Sequence, residues 1–329
     1  MNWTGKKVLV TGAGGFIGSH LVEALVKLGS QVRAFIRYNS RGDIGLLKWT
    51  GSDVLSEIEI VAGDLRDSEA VLNATESRDF VFHLGALIGI PYSYVHPREV
   101  TDTNIMGTFN VLMACRQRDV PKMIHTSTSE VYGSAQRVPI DEDHPLQGQS
   151  PYAASKIGAD KLAESFFRSF DVNVCTVRPF NTYGPRQSDR AVIPTIISQA
   201  LVGKEIKLGA LWPRRDYTFV RDTVEGFIKA AQSTKTIGLE VNLGSNNDIG
   251  IGDLATKILR LLGKDIPIIE DSNRLRPDLS EVKHLRADYS LAEQTFGWKP
   301  VISLDQGLNE VIQWIDSHSD QYQSSVFRT

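Results

Sequence analysis

A glycine-rich turn near the start of the chain restricts the possible folds more than any other feature of the sequence. The apolar run Lys7–Val10 leads into Thr-Gly-Ala-Gly-Gly-Phe-Ile-Gly, and Ser19–Leu28 continues with helical apolar spacing. Glycines placed in this way between a strand and a helix allow a tight turn, close approach of a pyrophosphate and packing of the helix on the strand. We therefore expect a dinucleotide-binding unit, with a purely structural turn as the alternative. The residues expected to contact the cofactor here are Gly12, Gly15, Phe16, Ile17 and Gly18.

Short β-branched runs alternate with helical patterns through the first 180 residues. The runs are KKVLVTG, QVRAFI, EIEIVAGD, FVFHLGA, KMIHTST and VNVCTVRP. Strands that alternate with helices predict a parallel sheet covered by helices on both faces. The sequence predicts longer helices at about 104–116, 153–170, 193–202 and 251–262, and a further strand at 239–245.

These patterns predict an α/β protein, with a Rossmann-like doubly wound parallel sheet and a smaller α/β C-terminal substrate domain. The cofactor domain is expected to span 1–180 together with about 219–245. The substrate domain is expected from about 181–218 and 246–315, and 316–329 is expected to be a polar tail.

Composition excludes several partners without indicating an activity. Lys and Arg total 36 against 39 Asp and Glu, and this net charge of −3 leaves no basic excess for nucleic acid or a membrane surface. No apolar run reaches the roughly 18 residues of a membrane span, and the first residues do not resemble a signal peptide. Cys115 and Cys175 are too few for a disulfide framework and are expected to be buried free thiols. We therefore expect a cytoplasmic globular protein.

The residues after the second predicted strand bear on the choice of cofactor. This strand is followed by Arg37-Tyr-Asn-Ser40-Arg41, with no carboxylate where an acid would bind the ribose 2′-hydroxyl of NAD. Arg37, with Ser40 or Arg41, could hold a 2′-phosphate instead, which slightly favours NADP over NAD. An ordinary surface arginine is the alternative interpretation. Asp64 and Leu65, after the third strand, are expected at the adenine edge.

A tyrosine and a lysine share one face at the start of a predicted helix. Tyr152 and Lys156 are four residues apart, so their side chains are neighbours on the helix surface. A lysine ammonium beside a phenol favours the phenolate and is expected to lower the pKa of the tyrosine. The pair could then take a hydroxyl proton while a hydride leaves the same carbon. The alternative is a solvated helix face.

The end of the fifth predicted strand carries a second set of polar groups. Lys122–Thr126 leads into Ser-Thr-Ser-Glu-Val-Tyr-Gly, and ligands bind at the carboxyl ends of strands in a parallel sheet. Thr128 can hydrogen-bond a sugar hydroxyl opposite Tyr152. Glu130 adds a carboxylate that could remove a carbon-bound proton, which indicates an elimination, unless it is a surface carboxylate.

Together these motifs resemble the extended short-chain dehydrogenase/reductases that act on nucleotide sugars, over nearly the whole chain. The matching segments are TGAGGFIG, Asp64-Leu65, His83-Leu84-Gly85-Ala86, Asn104-Ile-Met-Gly107-Thr108, STSEVYG, YAASK, RPFNTYGPRQ and Arg276-Pro277-Asp278. Gly85 departs from the family, which more often has alanine there. The resemblance implies that Leu84 and Ala86 lie against the cofactor beside Tyr152 and Lys156, and that His83 is structural.

Within this family the chain is most similar to NDP-sugar 4,6-dehydratases, particularly those of legionaminic-acid-type pathways that act on a nucleotide-linked N-acetylglucosamine. Dehydratases of the dTDP-glucose kind carry Asp-Glu after the threonine, whereas this chain has Ser129-Glu130. The GDP-mannose kind and the UDP-glucuronate decarboxylases also have Ser-Glu. A decarboxylase or an NDP-sugar 4-epimerase is therefore the alternative, and a non-catalytic NAD(P)-binding regulator is a remote one.

The resemblance implies a mechanism with internal hydride transfer through tightly bound NAD(P). Tyr152, aided by Lys156 and Thr128, would deprotonate the sugar O4. Glu130 would take the C5 proton, and water would leave C6 with Glu130 or a Ser129-bound water as the acid. The product would be a 4-keto-6-deoxy sugar.

The resemblance also implies how the nucleotide sugar is held. Arg215 and Arg276 match phosphate-binding positions, Asn181 matches a contact to the diphosphate, Arg186 is a further candidate, and Val192 would lie by the base. An ordinary surface ion pair is the alternative for each arginine. No His, Cys or Asp cluster has metal-ligand spacing, so no metal site is expected. Helices 100–117 and 153–169 would pair across a two-fold axis as a homodimer.

Overall fold

The computed structural model describes residues 2–322, and the last part of the expected polar tail lies outside them. The strands are β1 Lys7–Thr11, β2 Gln31–Arg37, β3 Ile58–Gly63, β4 Phe80–His83, β5 Lys122–Thr126, β6 Val174–Pro179, β7 Asn181–Tyr183, β8 Ile206–Leu208, β9 Arg214–Phe219, β10 Glu240–Leu243, β11 Asp248–Gly250 and β12 Ile268–Glu270. The helices are α1 Phe16–Lys27, α2 Ser52–Ser56, α3 Ser68–Ala74, α4 Ile90–Val95, α5 Pro97–Thr101, α6 Gly107–Gln117, α7 Pro151–Phe170, α8 Val192–Val202, α9 Val220–Gln232, α10 Ile251–Leu262, α11 Ser290–Phe296 and α12 Leu304–Ser317.

A seven-stranded parallel sheet forms the centre of the fold, in the order β10-β6-β5-β4-β1-β2-β3. The chain builds outward from β1 to β3 and then crosses back to place β4 on the other side of β1. The carboxyl ends of β1 and β4 therefore flank the switch point at which doubly wound sheets bind their ligands. The predicted Rossmann-like α/β fold is confirmed.

Alternating side chains divide the core into two layers, one on each face of the sheet. In β1, Leu9 packs with apolar residues of α3, α6 and α7, whereas Val8 and Val10 pack with residues of α1 and α9. Both cysteines are buried free thiols in these layers, as the sequence predicts. Within residues 2–322, no helix is long and apolar enough to cross a membrane.

Two small sheets lie beyond β6. One has the order β11-β9-β7 and the other pairs β12 with β8. Because β7 begins at Asn181, directly after Phe180, it carries the chain from the end of β6 into the small sheet. The strand β9 pairs with β7 in parallel and places Arg215 in the same region. The division of the chain into domains stays a prediction, although β10 pairs with β6 in the large sheet.

The helix predicted from Asn104 begins differently in the structure. Residues Asp102–Met106 form a π-helical turn between α5 and α6, and α6 itself begins at Gly107. Helical periodicity does not distinguish a π turn from an α turn of similar composition, so this feature was not predictable from the sequence pattern. The other three long helices and the six strands of the first 180 residues are confirmed.

Candidate active site

A cleft of about 1010 Å³ runs along the carboxyl ends of the parallel strands. A second cavity of about 130 Å³ adjoins it and shares Gly12, Arg37 and Ala86 with its lining. The predicted site residues that line the larger cleft are Gly12, Gly15, Phe16, Ile17, Gly18, Arg37, Leu84, Ala86, Thr128, Ser129, Glu130, Tyr152, Asn181, Arg215 and Arg276. Asp64 and Leu65 line the smaller cavity.

The glycine turn is closely packed against the ends of β1 and β4. Gly12 has a φ of +69°, and a Cβ built there would lie 2.7 Å from the Gly85 nitrogen. A Cβ at Gly18 would lie 2.2 Å from the Gly12 carbonyl oxygen. The helix α1 begins after Gly15 without a side-chain cap and without an acidic residue in its first turn. These features fit the pyrophosphate of a dinucleotide, because the turn leaves room for an anion and the helix end attracts one.

We expect Gly12→Ala to weaken cofactor binding at least about tenfold and to destabilise the fold by about 1–3 kcal/mol, because both strain and overlap oppose the new side chain. Gly263→Ala is the matched control, since Gly263 has a φ of +63° but no neighbouring atom within 4 Å of an added Cβ. It should lose stability without losing cofactor affinity. Fluorescence titration and thermal unfolding measure the two effects, and unchanged affinity of Gly12→Ala would contradict the assignment of the turn.

The segment after β4 is fixed by the π-helical turn. Asn104 Oδ1 accepts a hydrogen bond from the Leu87 nitrogen at 2.8 Å, and Asn104 Nδ2 donates to the Leu87 carbonyl at 2.9 Å and to Ser155 Oγ at 2.9 Å. This side chain therefore joins the segment that contains Leu84 and Ala86 to the helix α7. The π turn places Asn104 where it can reach both elements, which is typical of π turns at functional sites.

The second strand's end presents positive charge to the cleft, as the sequence suggested. Arg37 lines both cavities, but its guanidinium lies 3.3 Å from Glu99, which also accepts a hydrogen bond from Tyr92 at 2.5 Å. Arg66 Nη2 lies 2.6 Å from Asp64 Oδ2, and this hydrogen bond is the main reason why the pKa of Asp64 is lowered to about 2. Arg41 also lines the cleft. The carboxylate of Glu99, which is distant in sequence, therefore partly neutralises the charge of Arg37.

Tyr152 and Lys156 lie on the buried face of α7, next to the end of β5. The Lys156 ammonium donates a hydrogen bond to the Thr126 carbonyl at 2.7 Å, and both side chains are less than a tenth exposed. Burial lowers the pKa of Lys156 to about 8, while the charge of Asp160 raises it. The side chain of Thr128 lies beside the Tyr152 hydroxyl and lowers its pKa. The sequence-predicted pair therefore meets at the cleft with Thr128 beside it.

The expectation that Lys156 lowers the pKa of Tyr152 is not met by the protein's own groups. Burial raises the pKa of Tyr152 well above its usual value, the Thr128 hydrogen bond lowers it, and the Glu130 carboxylate raises it again. Lys156 directs its ammonium to a backbone carbonyl rather than to the phenol. The reason for the difference is burial of the whole pair, which the four-residue spacing does not reveal.

The segment after β5 forms a short 3₁₀ turn, Ser129–Tyr132, that is capped by Thr128. The Thr128 hydroxyl accepts a hydrogen bond from the Glu130 nitrogen at 3.2 Å. Glu130 and Ser129 are 9% and 3% exposed, and both line the cleft, so the alternative of a surface carboxylate at position 130 is excluded. This cap aligns Thr128 and Glu130 on the cleft side of the turn.

Two arginines and an amide face the cleft from the small-sheet side. Arg215 donates to Glu281 at 2.9 Å, and Arg276 Nη1 lies 3.6 Å from the same carboxylate oxygen. Two cations therefore share one anion, which leaves positive charge for an anionic ligand. Asn181 Oδ1 is buried and accepts no hydrogen bond from any described residue.

Four predicted contacts, Ser40, Lys156, Arg186 and Val192, lie outside the lining of both cavities. The Arg186 guanidinium pairs with Glu23 of α1 at 2.6 Å, and its backbone has a φ of +68°. Val192 is the first residue of α8, and Ser40 lies exposed in the loop after β2.

His83 is buried between the hydroxyls of Thr11 and Thr108, at 2.7 and 3.0 Å, which fits a structural role.

The sequence reasoning missed a buried polar cluster below the cleft. Asp160, one helical turn after Lys156, accepts hydrogen bonds from Ser127 at 2.8 Å and from Arg178 at 3.1 Å. The signal that could have found it is the spacing of Tyr152, Lys156 and Asp160, which repeats every four residues on one helix face. Among residues 2–322, no group of three or more His, Cys, Asp or Glu side chains is placed to hold a metal ion.

Comparisons with known proteins agree with this geometry. Residues 9–311 match the family model described as GDP-mannose 4,6 dehydratase. The chain is 31% identical to the UDP-glucose 4-epimerase of Mycolicibacterium smegmatis, over 95% of this chain and 99% of that one. It is 32% identical to the UDP-N-acetyl-alpha-D-glucosaminuronate decarboxylase of Bacillus cytotoxicus, over 94% of this chain and 97% of that one.

A solved structure of a dehydratase is similar over nearly the whole chain. It is DesIV, a dTDP-glucose 4,6-dehydratase from Streptomyces venezuelae with NAD and TYD bound. The TM-score is 0.87 at 26% sequence identity, and the match covers 96% of this chain and 99% of that one. The similar proteins therefore share one fold and carry out three different reactions on nucleotide sugars.

Proposed function

Because the chain belongs to the family of NDP-sugar dehydratases and epimerases that the GDP-mannose 4,6-dehydratase model describes, we propose that it is an NDP-sugar 4,6-dehydratase. As a hydro-lyase it would convert an NDP-hexose, with GDP- or UDP-N-acetylglucosamine as the proposed substrate, to the 4-keto-6-deoxy sugar. The observation that carries the proposal is the buried carboxylate of Glu130 in the same cleft as Tyr152. A C4 oxidation needs only the tyrosine, whereas removal of a carbon-bound proton needs a second base.

A nicotinamide cofactor supplies a positive charge, a hydride acceptor and, later, a hydride donor at this site. The protein's own groups then move the protons. Tyr152, with Thr128 beside its hydroxyl, takes the proton of the sugar O4 as C4 becomes a ketone. Lys156, whose ammonium is bound to the Thr126 carbonyl, would have to turn toward the phenol to stabilise the phenolate that this step requires.

The elimination depends on Glu130. The C4 ketone makes the C5 hydrogen acidic, and the Glu130 carboxylate takes it. The protonated Glu130 then gives that proton to the C6 hydroxyl, which leaves as water, with Ser129 beside it in the cleft wall. The hydride removed from C4 ends at C6, and C5 regains a proton. The proton that Tyr152 took from O4 accounts for this one, so that only water leaves the sugar.

The substrate's diphosphate would lie against Arg215 and Arg276. Both guanidiniums face the cleft and share a single carboxylate, so the pair retains positive charge for a second anion. The buried acceptor of Asn181 lies in the same wall and is available to a donor on the substrate. Arg186 and Val192 would reach a ligand only after a rearrangement, because neither lines the cleft.

Mass spectrometry of the products from a panel of NDP-hexoses tests this proposal. The expected result is a keto sugar that is lighter than its substrate by one water. Release of carbon dioxide from a UDP-uronate, or a C4 epimer of unchanged mass, would instead identify the second candidate. That candidate, a decarboxylase or 4-epimerase, is favoured by the similar proteins that carry out these reactions.

We propose NADP rather than NAD as the preferred cofactor, on the basis of the two arginines after β2. Arg37 and Arg41 both line the cleft, and a 2′-phosphate could replace Glu99 as the partner of Arg37. NADP is expected to bind more tightly, and the double variant Arg37→Ala/Arg41→Ala should lose about tenfold or more in NADP affinity with little change for NAD. Calorimetric titration of both cofactors is the measurement. Tighter binding of NAD to the unmodified protein would contradict this preference.

We also propose a homodimer and a place in a legionaminic-acid-type pathway. The dimer would form through the faces of α6 and α7, where Met106 and Phe170 expose apolar surface next to these helices. The pathway rests on the similarity of the motif block around Tyr152, and it requires the N-acetylglucosamine substrate named above.

A further inference from the structure

A cluster of buried polar side chains lies directly below the Tyr152–Lys156 pair. We call it the Asp160 cluster, and it contains His125, Ser127, Asp160, Arg178 and Glu240. Asp160 and Arg178 are fully buried, so their charges have no contact with solvent. Ionised groups at this depth are costly unless they are paired, which implies that the cluster has a specific role.

The Asp160 carboxylate is the centre of the cluster. One oxygen accepts hydrogen bonds from Ser127 Oγ at 2.8 Å and from Arg178 Nε and Nη2 at 3.2 and 3.1 Å. The other oxygen lies 3.2 Å from His125 Nε2. Arg178 Nη2 also reaches Glu240 at 2.7 Å. Residues of β5, its terminus and β6 thus contact Asp160 directly, and Glu240 of β10 joins the cluster through Arg178.

These contacts tie the catalytic helix to the catalytic strand end. Ser127 directly precedes Thr128, and its hydroxyl is bound by Asp160. The preceding residue, Thr126, accepts the Lys156 hydrogen bond through its carbonyl. Two consecutive residues of the β5 terminus are therefore held by two side chains that lie one helical turn apart. A shift of either bond would move Thr128 relative to Tyr152.

The charges of the cluster also act on Lys156. Burial would raise the pKa of Asp160, but the His125 hydrogen bond and the Arg178 charge outweigh it, so Asp160 is ionised. Burial lowers the pKa of both His125 and His83, and both rings are neutral. The buried cations are then Lys156 and Arg178. Their anions are Asp160 and the partly exposed Glu240, so loss of Asp160 would leave Lys156 beside an excess of positive charge.

We propose that Asp160 is a positioning residue of this site, which anchors the end of β5 to α7 and supplies the negative charge that balances the Lys156 ammonium. This role rests on the proposed function in one respect, the catalytic roles that it assigns to Tyr152 and Lys156. If Asp160 had a purely structural role and only anchored Arg178, its loss would leave the titration midpoint of Lys156 unchanged.

The test is the Asp160→Asn variant, with the protonation of Lys156 followed by ¹⁵Nζ-lysine NMR and assigned by its loss in Lys156→Met. Asp160 lies one helical turn after Lys156 on the same face of α7, and its charge raises the pKa of Lys156. Removal of this charge is therefore expected to lower the titration midpoint by about one pH unit or more. The alkaline limb of the activity profile should move to lower pH by a similar amount. Asp222→Asn is the matched control, because Asp222 is also buried and bonded to backbone groups, but at the start of α9. It should lose stability without changing the Lys156 midpoint.

An unchanged Lys156 midpoint in folded Asp160→Asn would overturn the proposal. If that variant does not fold, the double variant Asp160→Asn/Arg178→Met removes the two buried charges as a pair. The Lys156 midpoint is then measured in the double variant, and a smaller downward shift is expected. An unchanged midpoint there would also overturn it. The titration needs no substrate, so its failure leaves the dehydratase proposal standing. Conversely, inactivity toward every NDP-hexose would refute the dehydratase while leaving the titration result valid.

Discussion

Tyr152→Phe is expected to lower turnover by about 100- to 10,000-fold, the usual loss when a positioned acid–base group is removed. The phenol is buried in the cleft, and the side chain of Thr128 lies beside its hydroxyl. Phenylalanine fills the same volume, so the helix α7 and the cleft should keep their shape. The loss should appear in kcat, whereas cofactor affinity should change little. Steady-state kinetics and cofactor titration on the same preparation measure both quantities.

Tyr183→Phe is the matched control for this variant. Tyr183 is also buried, but its hydroxyl donates to the Leu304 carbonyl at 3.3 Å and does not line the cleft. The control should therefore retain turnover. Tyr152→Phe with more than a tenth of normal turnover would contradict the assignment of Tyr152 as the base for O4.

Glu130→Gln should stop the elimination while leaving the protein folded and able to bind its ligands. The amide has nearly the same shape as the carboxylate and still accepts hydrogen bonds, but it cannot take the C5 proton. We expect water loss to fall by about 100-fold or more, the scale of a lost general base. Exchange of the C5 hydrogen with deuterium from solvent should fall in parallel. Mass spectrometry of sugar recovered from heavy water measures both.

The matched control is Glu142→Gln. Glu142 is another largely buried carboxylate, but it accepts a hydrogen bond from the Asn242 nitrogen at 2.7 Å and lies outside the cleft lining. It should keep both water loss and exchange. Full turnover by Glu130→Gln would contradict the assignment of Glu130 as the base for C5, on which the dehydratase proposal depends.

Local patterns were sufficient to predict the fold and the glycine turn between β1 and α1. The strands of the first 180 residues are marked by β-branched runs, and the glycine turn is marked by its position between a strand and a helix. Both signals act over a few residues, so a single sequence contains them. The proximity of Tyr152 and Glu130 was also predictable, because carboxyl ends of parallel strands share one edge of the sheet.

Features that depend on distant contacts were not predictable. Arg186 was expected to bind substrate, but in the structure its guanidinium is paired with Glu23 of α1, which is distant in sequence. The raised pKa of Tyr152 comes from burial by several elements rather than from the four-residue spacing to Lys156. The Asp160 cluster draws side chains from one helix and three strands, and no local pattern brings these together.

The most direct test of the central claim uses a substrate that carries deuterium at C4. A 4,6-dehydratase moves this label to C6 within one molecule, while C5 gains a proton from solvent. The expected result, with GDP- or UDP-N-acetylglucosamine as the substrate, is a 4-keto-6-deoxy product that is lighter by one water and labelled at C6 by NMR. A product that keeps deuterium at C4 with its mass unchanged would contradict the dehydratase and indicate an epimerase instead.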